Sequence, residues 1–493
     1  MKFETRKPGL QVTLIKNIKR TTLNGTTPVS SRYTGQTPVV DLTPYIGEAN
    51  SVRVSKSVRE PAGGFSITLT EQLFYNGDAS YGDSLYGLIE PMDSIEIRMA
   101  ANAYKSSTPP TMMRGFVSSI GKSDTMGADG RPQRTIFVSG QDYGKILQMM
   151  QVFYMPGTSD DASYISTFPF FTKFGIDAKP MLAIEFYQTV FDQVITPYII
   201  NMGGGQNGLA PLLTIETDFI TQTAQVSPTG AGGYKDGTVY NLLREYGDIG
   251  TFNEFFIEDR EDAPYAVYRP NPFNDVNGIP IFTFPSGKFP AYTKISAADV
   301  VAVSGARTDA NVANYFWVDS PPFNLNDVVG LRQQSIQSAQ DGIKHYVTDY
   351  ANVDPTLYGS RKMWERTMQS SPWSIAQGNG LQNTPFLKEQ TNATSWITQR
   401  RVDLYNQNKD NILFESGSFR LKGNETIRAG TYLQYANGDM LSEYYVVSVE
   451  HDYAPFGSYF TTVQYERGTG FINRIQRNAG RDSPYLAELA SEL

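Results

Sequence analysis

RTIFVSGQDYGKIL, Arg134 to Leu147, opens as a strand and closes as a helix. Ile136 and Val138 fall on one side of an alternation and Thr135, Phe137 and Ser139 on the other, the period of a half-buried strand. Gly140 breaks that pattern, and Tyr143, Ile146 and Leu147 take up helical spacing. Asp142 stands where an N-cap belongs, with a carboxylate able to accept a free backbone amide. As a general base it has no serine or histidine close in the chain, so the expected role is architectural. The stretch predicts a strand that ends at Gly140, where the chain leaves a sheet and seals it with a short helix.

Upstream the same period recurs. Val52, Val54 and Val58 flank a basic patch, Phe65, Ile67 and Leu69 alternate with Ser66, Thr68 and Thr70, and Ile95, Ile97 and Met99 alternate with Ser94, Glu96 and Arg98. Phe116 precedes another short apolar step. PAGG at 61–64, YNGDASYGDS at 75–84 and SDTMGADGRP at 123–132 separate these segments as turns. Short strands with one apolar face at this spacing predict a small antiparallel barrel or sandwich.

The middle of the chain changes period. In AIEFYQTVFDQVITPYII, residues Ile184, Tyr187, Phe191, Val194, Ile195 and Tyr198 predict an amphipathic helix, strained or ended near Pro197 and followed by NMGGGQNG. DGTVYNLLREYG predicts a second helix, capped by Asp236, facing inward with Val239, Leu242, Leu243 and Tyr246, and stopped at Gly247. EFFIEDR (254–260) and YAVYRP (265–270) predict a hairpin around EDAP. From about Asp327 to Asn408 the chain is polar, with helical hints in LRQQSIQSAQ and SWITQRRVDLYNQN. Alternation returns from Leu413: Tyr445, Val447 and Val449 share a face, as do Thr461, Val463 and Tyr465, with HDYAPFGS as the joining loop. PYLAELASEL predicts a short terminal helix. No repeat of solenoid period is present.

Composition narrows the chemistry. At 493 residues the chain holds about three domains by length alone. The absence of cysteine excludes disulfides, thiolate metal sites and cysteine nucleophiles. Two histidines, His345 and His451, leave no basis for a His-rich metal site. A net charge of −8 gives no general attraction for phosphate backbones. Lys16, Lys19 and Arg20 in KNIKR run the other way and predict a solvated or partner-facing arm. No apolar run is long enough to cross a bilayer, and MKFETRKPGL lacks the apolar core of an export signal. GGG at 203–205 and GAGG at 230–233 lack the strand and the Lys-Ser/Thr ending of a phosphate loop and predict flexible loops.

Few residues remain as candidates for chemistry. Glu258 with Asp259 and Glu450 with Asp452 are possible acid pairs, yet both sit in or beside turn-bounded strands where exposed acids are usual. His451, after VVSVE and at the start of a loop, is placed to titrate near neutral pH beside Glu450 and Asp452; the expected role is a structural hydrogen bond pinning that loop. His345 has no informative context. Arg366, Arg400 and Arg401 predict a solvated or interface face. No catalytic, cofactor-binding or metal-ligating residue is assigned, no cofactor is expected, and the chain reads as a non-enzyme.

Certain segments resemble a known family. DSIEI at 93–97, MRGFV at 113–117 and VSGQDYGKIL at 138–147 resemble the first domain of baseplate hub proteins of contractile-tailed bacteriophages, a family related to the hubs of contractile injection systems. FNEFFIED at 252–259 and YRP at 268–270 resemble the middle of these hubs, and YGSR at 358–361 a turn in them. KGNETIRAGTY at 422–432, YYVVSVEH at 444–451 and YERG at 465–468 resemble their closing domain. The matches run in the same order along most of the chain.

The resemblance implies a mainly β fold with α+β insertions: two tube-like antiparallel β-barrel domains plus mixed α/β accessory domains. It places the first tube-like barrel at 1–150, a mixed α+β accessory domain at 151–300, and the second barrel at 301–330 with 410–478. A polar, partly helical insertion at 331–409 and a C-terminal helix at 479–493 complete the chain. It further implies a homotrimer whose six barrels match a six-fold tail tube above to a three-fold central spike below, with a channel for DNA ejection. Expected partners are the tail tube protein, the spike, and baseplate wedge and tape-measure proteins, with DNA in transient passage and no stable membrane insertion. The expected location is the virion tail baseplate, after synthesis in the host cytoplasm. An acidic or neutral lumen would keep the duplex from sticking. The rival readings are a tail-associated peptidoglycan- or polysaccharide-degrading enzyme and a hexameric tail-tube or adaptor protein.

Overall fold

Among the described residues of the N-terminal half, seven strands share one sheet: β1 Gly9–Ile15, β2 Val39–Asp41, β3 Val52–Ser57, β4 Gly64–Thr70, β5 Ser94–Ala100, β6 Thr111–Met126 and β7 Pro132–Asp142. They pair antiparallel in the order β3-β4-β7-β6-β5-β1-β2. The computed structural model describes residues 7–17, 39–47, 50–75, 82–104, 108–127, 130, 132–154, 181–202, 210–221, 223–226, 235–319, 351–370, 384–437, 440–455 and 457–469. The alternating apolar residues of the sequence make one core, including Val52, Val54, Phe65, Ile67, Leu69, Ile95, Ile97, Met99, Ile136 and Val138.

The opening stretch departs from expectation at one point. β7 does not end at Gly140 but runs on to Asp142, and Gly140 pairs with Phe65 inside the sheet. A Cβ at Gly140 would collide with the Phe116 carbonyl and the Phe65 ring. The glycine is therefore a packing gap under an aromatic ring rather than a turn. Helix α1, Gly144–Met149, follows with Tyr143 at the N-cap position, and Asp142 supplies the acceptor from one residue earlier, its Oδ1 taking the Gly144 N–H at 2.9 Å.

In the middle region α2, Ala183–Val190, continues through a π-helical turn at Phe191–Ile195 into α3, Thr196–Asn201. Pro197 does not end the helix: it occupies the first turn of α3, where a missing N–H costs least, and the wider turn before it absorbs the change in register. Helix α4, Val239–Tyr246, is capped by Thr238, whose hydroxyl accepts the Asn241 N–H at 3.2 Å. Asp236 lies instead in the preceding strand, Lys235–Thr238. The predicted hairpin forms as β8 Asn253–Asp259 and β9 Pro264–Pro270, and Thr214–Thr217 adds to β9 in parallel. Phe186, Tyr187, Tyr246, Phe255 and Tyr268 pack at the centre of this unit.

The C-terminal half contains β10 Tyr292–Ser296, β11 Val300–Ala306, α5 Thr384–Asn408, β12 Glu415–Lys422, β13 Tyr432–Asn437, β14 Met440–Ala454 and β15 Ser458–Gly468. β10 pairs with β13, so this sheet begins upstream of residue 301, a boundary that falls inside β11. Phe419, Leu421, Leu433, Tyr444, Tyr445, Val449, Val463 and Tyr465 fill its core. The face expected to carry Tyr445, Val447 and Val449 is interrupted by a β-bulge at Val447: Tyr445 and Val446 are both buried, and Val447 is half-buried. The carbonyl of Val447 accepts the Val58 N–H at 3.0 Å.

β14 joins the halves. One edge carries β15 along most of its length; the other is divided, with Tyr432–Asn437 of β13 on its first part and Val52–Ser57 of β3 on its last. The two β-rich ends, each with its own core, thus belong to a single 13-stranded sheet ordered β11-β12-β15-β14-β3-β4-β7-β6-β5-β1-β2, with β13 and β10 as a branch. Beside it, Tyr315–Asp319 and Lys362–Arg366 pair in parallel, and Phe316 and Val318 pack with Leu404 of α5 and with Phe252. The helical hint SWITQRRVDLYNQN lies within α5. LRQQSIQSAQ, His345, Lys19, Arg20, both glycine runs and the terminal helix lie outside the described residues. No helix among the described residues is long and apolar enough to cross a membrane.

Candidate functional site

The side chains with the most unusual surroundings lie where the two halves and the hairpin meet. Lys56 of β3 sits on the buried face of its strand, with its ammonium 2.6 Å from Asp142 Oδ2 and 2.6 Å from Asp259 Oδ2 of β8. Asp142 also accepts the Gly63 N–H at 2.9 Å, which ties the PAGG turn to the corner after β7. Burial pushes the Asp142 carboxyl up, the charge of Asp259 adds to this, and Lys56 opposes it. Burial alone would lower Lys56, but the two carboxylates outweigh it and hold its pKa above the ordinary lysine value. Asp142 is therefore architectural, as expected, and holds three elements rather than one helix end. Glu258 and Asp259 are not an acid pair: Glu258 meets Arg260 outside, whereas Asp259 faces inward, its Oδ1 without a hydrogen-bond donor among the described residues.

Similar joints recur. Glu254 of β8 accepts from Arg269 Nε at 2.6 Å and from the Tyr445 hydroxyl, and Arg269 also donates to the Gly430 carbonyl at 2.5 Å. The hairpin tip is gripped by Arg114 of β6, which donates to the carbonyls of Arg260 and Glu261, while Glu261 accepts the Thr111 N–H at 2.8 Å. Lys16, expected in a solvated arm, is buried against Asp93 at 2.5 Å and donates to the Leu88 carbonyl. The end of β1 needs an anchor there, and Asp93, pushed up by burial against the pull of Lys16, supplies it.

His451 is not at a loop start. It lies inside β14 and is 2% exposed, with Nε2 3.3 Å from the Ile427 carbonyl and Nδ1 3.0 Å from the Tyr459 hydroxyl and 3.2 Å from that of Thr461. A neutral ring carrying its proton on Nε2 donates to the Ile427 carbonyl and offers its one Nδ1 lone pair to the nearer hydroxyl, that of Tyr459. Burial, with the nearby Arg428 charge, lowers its pKa to about 3, so it does not titrate near neutrality. Its hydrogen bond is structural, but it pins the Ile427 segment rather than the hairpin loop. Glu450 and Asp452 point to the opposite face, half-exposed and near Arg53.

The arginines divide. Arg366 is exposed, as expected. Arg400 and Arg401 are buried instead: Arg400 lies 4.6 Å from the Trp396 ring and 5.0 Å from that of Phe252, and Arg401 4.3 Å from that of Trp317. A planar, weakly hydrated guanidinium stacks on aromatic faces and can enter a core in this way. Arg400 also helps balance Asp248, a buried carboxyl raised to about 6 by burial and accepting the Met368 N–H and the Thr367 hydroxyl. No group of three or more His, Cys, Asp or Glu among the described residues is arranged to hold a metal ion.

No protein-family model matches the chain, and no curated protein matches it. Among solved structures, it is similar to a tail protein from Neisseria meningitidis MC58, at 10% identity and a TM-score of 0.44, covering 93% of this chain and 96% of that one. It is also similar to the 43 kDa tail protein of prophage MuSo2 from Shewanella oneidensis, at 10% identity and a TM-score of 0.41, covering 87% and 93%. A third is E. coli c3393, a component of the type VI secretion system described as structurally similar to the T4 bacteriophage tail proteins gp27 and gp5. That likeness has 7% identity and a TM-score of 0.35, covering 84% and 72%. By their descriptions these three are two tail proteins and a secretion-system component.

Proposed function

We propose that this chain is a structural, non-enzymatic tail component, the baseplate hub: a homotrimer joining a six-fold tail tube to a three-fold central spike and enclosing the channel through which DNA leaves. The observation that carries this reading is the pairing of β14 with β3. It sets two half-sheets, each with its own core, edge to edge in one wall, so that a single chain supplies two consecutive segments of a ring. Three chains then supply six. In a cyclic trimer each chain offers two different patches to its neighbours, and the outer edges of the sheet, β11 at one end and β2 at the other, are the natural ones. β11 has the character of an edge that needs covering, since Val301 and Val303 are 53% and 52% exposed and the strand has no charged residue. Tube protein above, spike below, and wedge and tape-measure proteins outside and within complete the assembly in the virion tail. The net negative chain keeps the passing duplex from adhering.

Native mass measurement of the purified chain tests this. The expected species is three copies of the 54.8 kDa chain. Val301→Lys with Val303→Lys, two changes at exposed positions, should leave each chain folded and shift the mass to one copy. A hexamer, or a trimer indifferent to charge on β11, contradicts the proposal.

A further inference from the structure

Away from the wall seam, a cavity of about 400 Å³ opens where the end of β15, the last turn of α5 and the loop around β8 and β9 converge. At this cavity Arg467, a non-glycine residue with φ +56°, is 8% exposed, and its guanidinium lies 4.6 Å from the Phe273 ring and 4.1 Å from the Phe414 ring. Its two terminal nitrogens donate to the carbonyls of Gln407 and Asn274, each at 2.9 Å. Its Nε–H has no partner among the described residues, and no carboxylate among them lies within ion-pair distance. Beside it Gln407 is 2% exposed; its Oε1 accepts from Asn271 at 2.9 Å, and its Nε2 likewise has no partner.

Two buried donors without acceptors, on and beside a guanidinium whose nearest carboxylates, Glu466, Asp410 and Asp275, act on it only from beyond ion-pair distance, make an incomplete set. Each unmet donor leaves its desolvation uncompensated, and a buried charge out of reach of an ion-pair partner costs more still. The end of α5 offers Arg467 a carbonyl but not a full negative charge. What would complete the set is an oxyanion with two acceptor atoms. Its charge is limited by the rim: Glu466 is already paired with Arg59 at 2.8 Å, and Glu365 and Glu415 add negative charge that disfavours a dianion such as phosphate. We propose that this cavity is a binding site for a single carboxylate, received by Arg467 and Gln407. The carboxylate can come from a small organic acid or from an acidic side chain of a neighbouring copy of the chain.

The test uses the full chain, with sodium propionate as the probe and sodium chloride at equal ionic strength as the control. Propionate should raise the melting temperature saturably by a few degrees beyond chloride. Gln407→Glu, which places a carboxylate in the cavity from within, should melt higher than wild type and lose the propionate response. Gln407→Met, which removes the donor at similar volume, should weaken that response. Sedimentation then separates the sources: saturating propionate lowers the assembled mass if a neighbour's side chain normally fills the site, and leaves it unchanged if a free acid does. Equal effects of propionate and chloride on the wild type, or an undiminished propionate response in Gln407→Glu, would overturn the proposal.

Discussion

Acidification should weaken this fold through His451, by about 2 kcal/mol between pH 7 and pH 5. An unfolded histidine titrates near 6.5, whereas burial beneath β15 holds this one at about 3. Because the folded pKa is the depressed one, the contribution is complete above pH 6.5. As pH falls, the unfolded chain takes the proton first, and the contribution shrinks until the folded group titrates as well. Each pH unit in that window is worth about 1.4 kcal/mol, giving about 2 kcal/mol at pH 5 and roughly 5 kcal/mol below pH 3. The pH 5 figure does not depend on where below pH 4 the folded ring protonates, which makes it the sharper quantity. His451→Gln removes the proton site, and the carboxylates that titrate over the same range are common to both proteins and cancel in the difference. Urea unfolding of wild type and variant at pH 7 and pH 5 reads it directly: the variant should lose about 2 kcal/mol less than the wild type. With two histidines in the chain, selective labelling of the ring carbons yields two resonances, and the one absent from the variant should stay at its neutral position down to pH 4. A stability difference equal at both pH values, or a resonance that moves near pH 6, would refute the burial argument.

Lys56→Met should destabilise the chain by about 3–5 kcal/mol at pH 7, because it strands the carboxylates of Asp142 and Asp259 in the interior. The deficit should shrink on acidification, because burial already raises the Asp142 carboxyl and its protonation removes buried charge; urea midpoints at neutral and acid pH check both statements, and a deficit independent of pH contradicts them. Asp248 works in the opposite sense to His451. Its folded pKa is raised to about 6 by burial, so its contribution is complete below the unfolded value near 3.8 and is lost as pH rises through 6, a total of roughly 3 kcal/mol. Asp248→Asn should therefore gain on the wild type between pH 4 and pH 7, and a constant offset in calorimetric scans at those two pH values counts against it.

Most of the sheet was legible because alternation is a statement about faces. Phe65, Ile67 and Leu69, or Ile136 and Val138, declare a buried side whatever strand they meet. Which strands meet is not local information. Nothing in Met440–Ala454 announces that one edge of β14 serves two partners, and the bulge that makes this possible is a single extra residue in an apolar run. The buried charges carried a signal that composition alone obscured. Lys56 continues the inward parity of Val52 and Val54, Asp259 that of Phe255 and Ile257, and Arg467 that of Val463 and Tyr465. A charged residue on the apolar parity of a strand is either an error in register or a joint; in these three positions it is a joint. Arg400 and Arg401 escaped for a different reason, since the apolar face of α5 is weak and their burial depends on aromatic partners from other segments.

The segments that resemble hub proteins hold several of the buried joints of this structure. Asp93 of DSIEI anchors Lys16, Arg114 of MRGFV grips the hairpin tip, and Asp142 of VSGQDYGKIL meets Lys56. Glu254 and Asp259 of FNEFFIED and Arg269 of YRP are joints as well, and Arg467 of YERG ties two segments through the Gln407 and Asn274 carbonyls instead. Between them the cores need only apolar residues of suitable volume, and many choices meet that demand. A joint is less tolerant: a buried carboxylate requires its ammonium or guanidinium at hydrogen-bonding distance, and truncating either leaves a cost that packing cannot repair. Within this chain the joints are therefore the positions at which substitution should cost most, and the apolar positions between them those at which a change of side chain should cost least.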